Sequence, residues 1–121
     1  MNKRILIIDD DKEFCEELSE ILKNEGFDIE YCLSSNQGIE MLKVKPYKLL
    51  LLDFKMSRIN GAEFLKKYRE ELKELDIFII TGSLEINKLL LEENLSCLVT
   101  AVFNKPFDVQ NLIRRIREVL C

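Results

Sequence analysis

The sequence predicts an α/β fold, a doubly wound five-stranded parallel sheet with helices on both faces. Three observations carry this. Residues 5–8, 49–52 and 77–80 are unbroken apolar runs, the composition of strands buried on both faces. The stretches that follow them place apolar residues at helical spacing. Strand then helix recurs five times along the chain, and such alternation requires a parallel sheet whose crossovers are right-handed. The order 2-1-3-4-5, flavodoxin-like and written (βα)5, is the natural candidate.

Residues 5–8, Ile-Leu-Ile-Ile, form the first strand and end on Asp9, Asp10 and Asp11. Phe14, Leu18, Ile21 and Leu22 then mark the first helix, with Gly26 at the left-handed stop position behind Asn24 and Glu25. Residues 27–32 alternate weakly and form a strand nearer an edge. Ser34, Ser35 and Asn36 are a capping cluster for a short helix that carries Ile39, Met41 and Leu42 and ends before Pro46.

The third strand is four leucines, 49–52, closed by Asp53. Residues 57–61 have turn chemistry, and Gly61, Phe64, Leu65, Tyr68 and Leu72 share one face of a third helix. The fourth strand, 77–80, ends on Thr81, Gly82 and Ser83. Residues 84–93 form a helix with Leu89, Leu90 and Leu91 at its apolar centre. A fifth strand, 98–103, ends on Asn104, Lys105 and Pro106. Asp108 caps a last helix with the stripe Val109, Leu112, Ile113, Ile116 and Leu120.

The length of 121 residues fits one domain, 1–121. Net charge is −4, and the 18 basic residues form no stripe or run, so no nucleic-acid surface is expected. No apolar run is long enough for a membrane span, and the first residues lack the apolar core of a signal peptide. A cytoplasmic location is the default. Cys15, Cys32 and Cys97 match no metal or redox spacing and are expected to be buried, with Cys121 exposed. There is no histidine, which excludes Ser-His and Cys-His nucleophilic sites and a phosphohistidine on this chain.

In a parallel sheet, Asp9, Asp10, Asp53, Thr81 and Lys105 all fall at the carboxyl edge, where ligands of such sheets bind. Taken singly, each has an ordinary structural reading: the acids as helix caps or strand ends, Thr81 as a β-branched strand residue, Lys105 as a surface lysine. Together they suggest chemistry. Two carboxylates about 4 Å apart repel by roughly 4 kcal/mol at an effective dielectric near 20. A carboxyl then protonates, or a cation binds. Hard oxygen ligands in an open site favour Mg²⁺. With a lysine and a hydroxyl beside it, Asp53 is placed to act as a nucleophile that forms an acyl phosphate.

These residues make the chain resemble, along its whole length, the receiver domain of two-component response regulators. The resemblance rests on Asp9-Asp10 after strand one, Asp53 after strand three, Thr81 after strand four, and Lys105-Pro106-Phe107 after strand five. It implies that Asp53 accepts the phosphoryl group. It implies an Mg²⁺ site with Asp10 as a direct ligand, Asp9 mostly through water, Asp53, and the backbone carbonyl of Lys55. Thr81 and Lys105 would hold the phosphoryl oxygens, and the Lys105–Pro106 peptide would be cis. The donor would be a histidine kinase or histidine phosphotransfer protein. The face made by the fourth helix, fifth strand and last helix would switch toward a downstream protein or domain, as a monomer or a phosphorylation-dependent dimer. The chain would be a switch that catalyses only its own phosphorylation and dephosphorylation.

Three departures from the family pattern bear on switching. Ser57 stands where proline is usual, Val102 where an aromatic is usual, and residues 96–99 where a Gly-Ala pair is usual. Val102 sustains the alternative of a degenerate receiver that works as a phosphorylation-independent interaction module. An aspartate phosphohydrolase would want a second acid at position 55, where Lys55 stands. A flavin-mononucleotide carrier would want a hydroxyl- and glycine-rich loop where Asp9–Asp11 stand.

Overall fold

The computed structural model describes residues 3–54, 61–82 and 85–120. Five parallel strands, β1 (Arg4–Ile8), β2 (Asp28–Cys32), β3 (Leu49–Asp53), β4 (Asp76–Thr81) and β5 (Ala101–Asn104), form one sheet in the order β2-β1-β3-β4-β5. The expected topology is therefore the observed one. Among the described residues six helices pack on it: α1 (Lys12–Asn24), α2 (Ser35–Val44), α3 (Gly61–Lys67), α4 (Arg69–Leu72), α5 (Ile86–Glu92) and α6 (Val109–Leu120).

Alternation along the strands divides the core in two. Ile5, Ile7, Leu49, Leu51, Phe78, Ile80 and Phe103 face α1 and α6. Leu6, Ile8, Leu50, Leu52, Ile77 and Ile79 face α2 to α5. The four leucines of β3 are fully buried, as a strand covered on both sides requires.

The caps follow local chemistry. Asp11 accepts a hydrogen bond from the Phe14 amide (3.1 Å) at the start of α1, and Ser34 accepts one from the Gln37 amide (3.2 Å) at the start of α2. Gly26 stops α1 at φ +93°, with the Gly26 and Phe27 amides donating to the carbonyls of Lys23 and Leu22. Asp108 accepts from the Gln110 amide (2.9 Å) ahead of α6. Gly38 lets α2 lie close to β1, since a Cβ there would stand 2.3 Å from Ile8 Cδ1.

The structure corrects several expectations. The third helix is two pieces, interrupted at Tyr68, whose φ of −111° and ψ of 28° leave the helical region. The helix expected over 84–93 runs Ile86–Glu92, and Leu84 lies outside the described residues. Of its three central leucines, Leu90 is buried and Leu91 is 69% exposed. The fifth strand starts at Ala101 rather than 98, because Ser96–Leu98 form a 3₁₀ turn in which Leu98 donates to the Leu95 carbonyl. That turn also leaves Cys97 exposed, against expectation, while Cys15 and Cys32 are buried. Ile21 is 39% exposed, because Cys15, Leu18, Ser19 and Leu22 carry the buried face of α1. Cys121 lies outside the described residues.

Candidate functional site

The register of the sheet aligns the strand ends. Ile8 pairs with Leu52, Asp53 with Ile80, and Thr81 with Asn104. Asp9 and Lys105 follow directly, and the Lys105 amide donates to the Thr81 carbonyl at 2.7 Å. The Asp9 amide donates to the Cys32 carbonyl at 3.2 Å, which extends the sheet by one link at the same rim.

Five of the residues singled out in the sequence thus lie at one edge. Asp9, Asp53 and Thr81 are buried and Asp10 is exposed. One carboxylate oxygen from each of Asp9, Asp10 and Asp53 lies within 4.8 Å of the others. Asp9 is held from two sides: its Oδ1 accepts from the Asp11 amide (2.9 Å) and its Oδ2 from Lys105 Nζ (3.4 Å). Burying a carboxylate is costly without such partners. Asp11 caps α1, which separates it in role from its two neighbours. Lys55, Ser57 and Ser83 lie outside the described residues.

Strand alternation sorts the rest of the site. Asp53 continues the Leu49–Leu51 row that faces α1 and α6. Thr81 continues the Ile77–Ile79 row on the other side, where Val102 also packs. Phe103 packs on the α1 and α6 side, as its position next to Val102 requires. The Lys105–Pro106 peptide is cis.

Beneath the acids, the Cys15 thiol donates to the Asp9 backbone carbonyl at 3.4 Å. Burial, and then the Asp9 charge, pushes its pKa up to about 12, so it stays a thiol. Sequence reasoning had Phe14 only as part of the stripe of α1. In the structure its ring faces Lys105 Nζ at 4.4 Å. Only the tertiary fold brings these two together, and no local pattern signals it.

The three carboxylates suit a small hard cation. Two oxygens bound to one Mg²⁺ at about 2.05 Å lie about 2.9 to 4.1 Å apart. A spread of up to 4.8 Å therefore fits an ion that keeps waters between itself and part of the set. Asp10 is the exposed member of the three.

The family described as response regulator receiver domain matches residues 5–117. The chain is 37% identical over 120 residues to the transcriptional regulatory protein CpxR homolog of Haemophilus influenzae, covering 97% of this chain and 50% of that one. It is 33% identical over 120 residues to transcriptional regulatory protein CpxR of Escherichia coli, covering 99% and 50%. It thus spans about half the length of the curated relatives it matches. Among solved structures, it is similar to a CheY-like receiver domain protein from Methanospirillum hungatei (TM-score 0.85, 29% identity, 99% of this chain and 94% of that one). It is also similar to response regulator protein TrrA from Thermotoga maritima in complex with Mg²⁺ and BeF (TM-score 0.82, 25% identity, 99% and 100%).

Proposed function

The chain belongs to the response regulator receiver domain family, and on that premise we propose that it is a phosphoacceptor of a two-component system or phosphorelay, with Asp53 as the acceptor. The observation that carries this reading is the trio of carboxylates within 4.8 Å, with Lys105 paired to Asp9 at their rim.

A carboxylate oxygen of Asp53 attacks phosphorus, the new O–P bond forms, and the bond to the donor breaks. With no histidine on this chain, the donor nitrogen belongs to a histidine kinase or histidine phosphotransfer protein. Asp9, Asp10 and Asp53, with the backbone carbonyl of Lys55, would hold Mg²⁺, which when bound would supply positive charge against the phosphoryl oxygens. Lys105 brings an ammonium and Thr81 a hydroxyl to those oxygens. The TrrA complex with Mg²⁺ and BeF supports the same use of the site here.

The output face is α5, β5 and α6. Between α5 and β5 lies a groove of about 460 Å³ lined by Leu90, Leu91, Val99 and Val102, among others. Thr81 and Val102 lie on the same face of the sheet, so a change at Thr81 would reach this groove without an aromatic switch. The partner there is a downstream protein or a further domain, met as a monomer or a phosphorylation-dependent dimer. The switch works in the cytoplasm and among the described residues no helix is long and apolar enough to cross a membrane.

Val102 also favours a second reading, a receiver that binds its partner without phosphorylation. One experiment separates the two. Intact mass spectrometry after acetyl phosphate and Mg²⁺ should show one phosphoryl group on the wild-type protein and none on Asp53→Asn. An unlabelled wild type would count against the acceptor reading.

A further inference from the structure

The lysine assigned to the phosphoryl oxygens is held on two sides. Its Nζ stands 4.4 Å from the Phe14 ring centroid and 3.4 Å from Asp9 Oδ2, and its side chain is 33% exposed. The negative face of an aromatic ring attracts an ammonium, more strongly as water is excluded. The ring itself is braced. Phe107 meets Phe14 edge-on, with centroids 6.3 Å apart and planes at 85°. Phe103 stands 6.3 Å from Phe107, and the fully buried Phe78 stands 5.3 Å from Phe103. A row of four aromatics therefore runs from the core under β4 and β5 to the rim of the acidic pocket.

We propose that Phe14 is a positioning residue for Lys105, its ring restraining the ammonium at the pocket rim before a phosphoryl group arrives on Asp53. A lysine left in solvent spreads over many rotamers, and that freedom is lost when the ammonium meets an oxyanion. The ring takes most of that loss in advance. It offers no oxygen, so it does not compete with the phosphoryl group as a second carboxylate would. The fixed aromatic row keeps the ring from turning away with the ammonium. The inference rests on Asp53 being the acceptor, but the placement of Lys105 can be read without any phosphodonor.

The test begins with ¹³C-methylation of the lysines of the full chain. The Lys105 signal is assigned by its loss in Lys105→Arg. With no donor present, the ring current of Phe14 should displace that signal upfield in the wild type and in Phe14→Tyr, which keeps the ring. In Phe14→Leu, which keeps apolar contact with Phe107, it should return to the position of a solvated lysine. A wild-type signal already at that position overturns the proposal, whether or not Asp53 is the acceptor. On unmethylated protein, the initial rate of labelling by acetyl phosphate at saturating Mg²⁺ should fall about two- to fivefold in Phe14→Leu, the factor set by one partly exposed ammonium–ring contact, and recover in Phe14→Tyr. Equal rates in the wild type and the leucine variant overturn the proposal. If Phe14→Leu does not fold, Phe14→Met replaces it in both arms. A wild type that takes no label counts against the acceptor reading alone, and the methyl signal then decides the role of Phe14.

Discussion

Replacing Asp53 with asparagine should make the metal-free protein more stable while removing the proposed acceptor. The shape of the side chain is retained and one negative charge is lost. In the native structure that charge lies within 4.8 Å of carboxylate oxygens on Asp9 and Asp10. At the outer limit of that spacing, and an effective dielectric of about 20, each pair repels by about 3.5 kcal/mol, and by more if closer. Several effects reduce the gain. Asp10 is exposed, so water weakens its share, Lys105 already offsets part of the Asp9 charge, and Asp53 has polar partners of its own to lose. A net stabilisation of about 2 kcal/mol remains, which for a chain of this size raises Tm by on the order of 5–10 °C. The assay is thermal unfolding by circular dichroism in chelator at low ionic strength, because salt screens the exposed part of the repulsion. Magnesium should then narrow the gap. At tenfold over its Kd, an ion bound only to the folded state adds about 1.4 kcal/mol to the wild type, and less to a variant with one carboxylate fewer. An Asp53→Asn protein that melts at or below the wild-type temperature in chelator would refute the claim that these three carboxylates strain one another.

The remaining predictions concern other parts of the same account. Asp10→Ala should weaken Mg²⁺ binding by about tenfold or more, since it removes one of the three carboxylates, and isothermal titration would show it. Gly38→Ala should cost about 1–3 kcal/mol in urea unfolding, because the new methyl meets the Ile8 side chain where α2 crosses β1. Glu30, at the edge of the sheet, has its pKa lowered by hydrogen bonds from Lys45 (Nζ to Oε2, 2.6 Å) and then Tyr47. A folded-state pKa below the unfolded one contributes stability above the ordinary carboxylate range and loses it as pH falls through the folded value. Glu30→Gln should therefore lower neutral stability by about 1 kcal/mol, allowing for solvent screening, and flatten the acid limb of the stability curve.

The strands that build the site were legible because their chemistry is local. Residues 5–8, 49–52 and 77–80 are apolar without interruption, and each run ends on a residue that belongs to the rim. Burial on both faces and the exit of the chain are written in the same few residues. The start of β5 was not legible, because residues 97–103 are nearly continuously apolar and do not mark where pairing begins. What marks it is distant in sequence. Thr100 Oγ1 accepts from the Ile77 amide and donates to Asp76, while its own amide donates to the Ile77 carbonyl. The end of α5 falls within a residue of the expected one, although its stop is less plainly marked. Asn94 takes the left-handed conformation at φ 58°, and the Leu95 amide donates back to the Leu90 carbonyl with Leu95 fully buried. An asparagine stop is a weaker signal than the glycine that ends α1. At the site, the charged and hydroxyl groups could be named from strand ends alone. The ring beside Lys105 could not, because Phe14 reaches it only across the junction of α1 with the end of β5.

The most direct test of Asp53 as the reacting group is to trap the acyl phosphate chemically. Borohydride reduces an aspartyl phosphate to homoserine, releasing phosphate and leaving a permanent mark at the acceptor. After treatment with acetyl phosphate, Mg²⁺ and borohydride, peptide mass spectrometry should find homoserine at position 53. Homoserine at position 9 or 10, with Asp53 intact, would contradict the account.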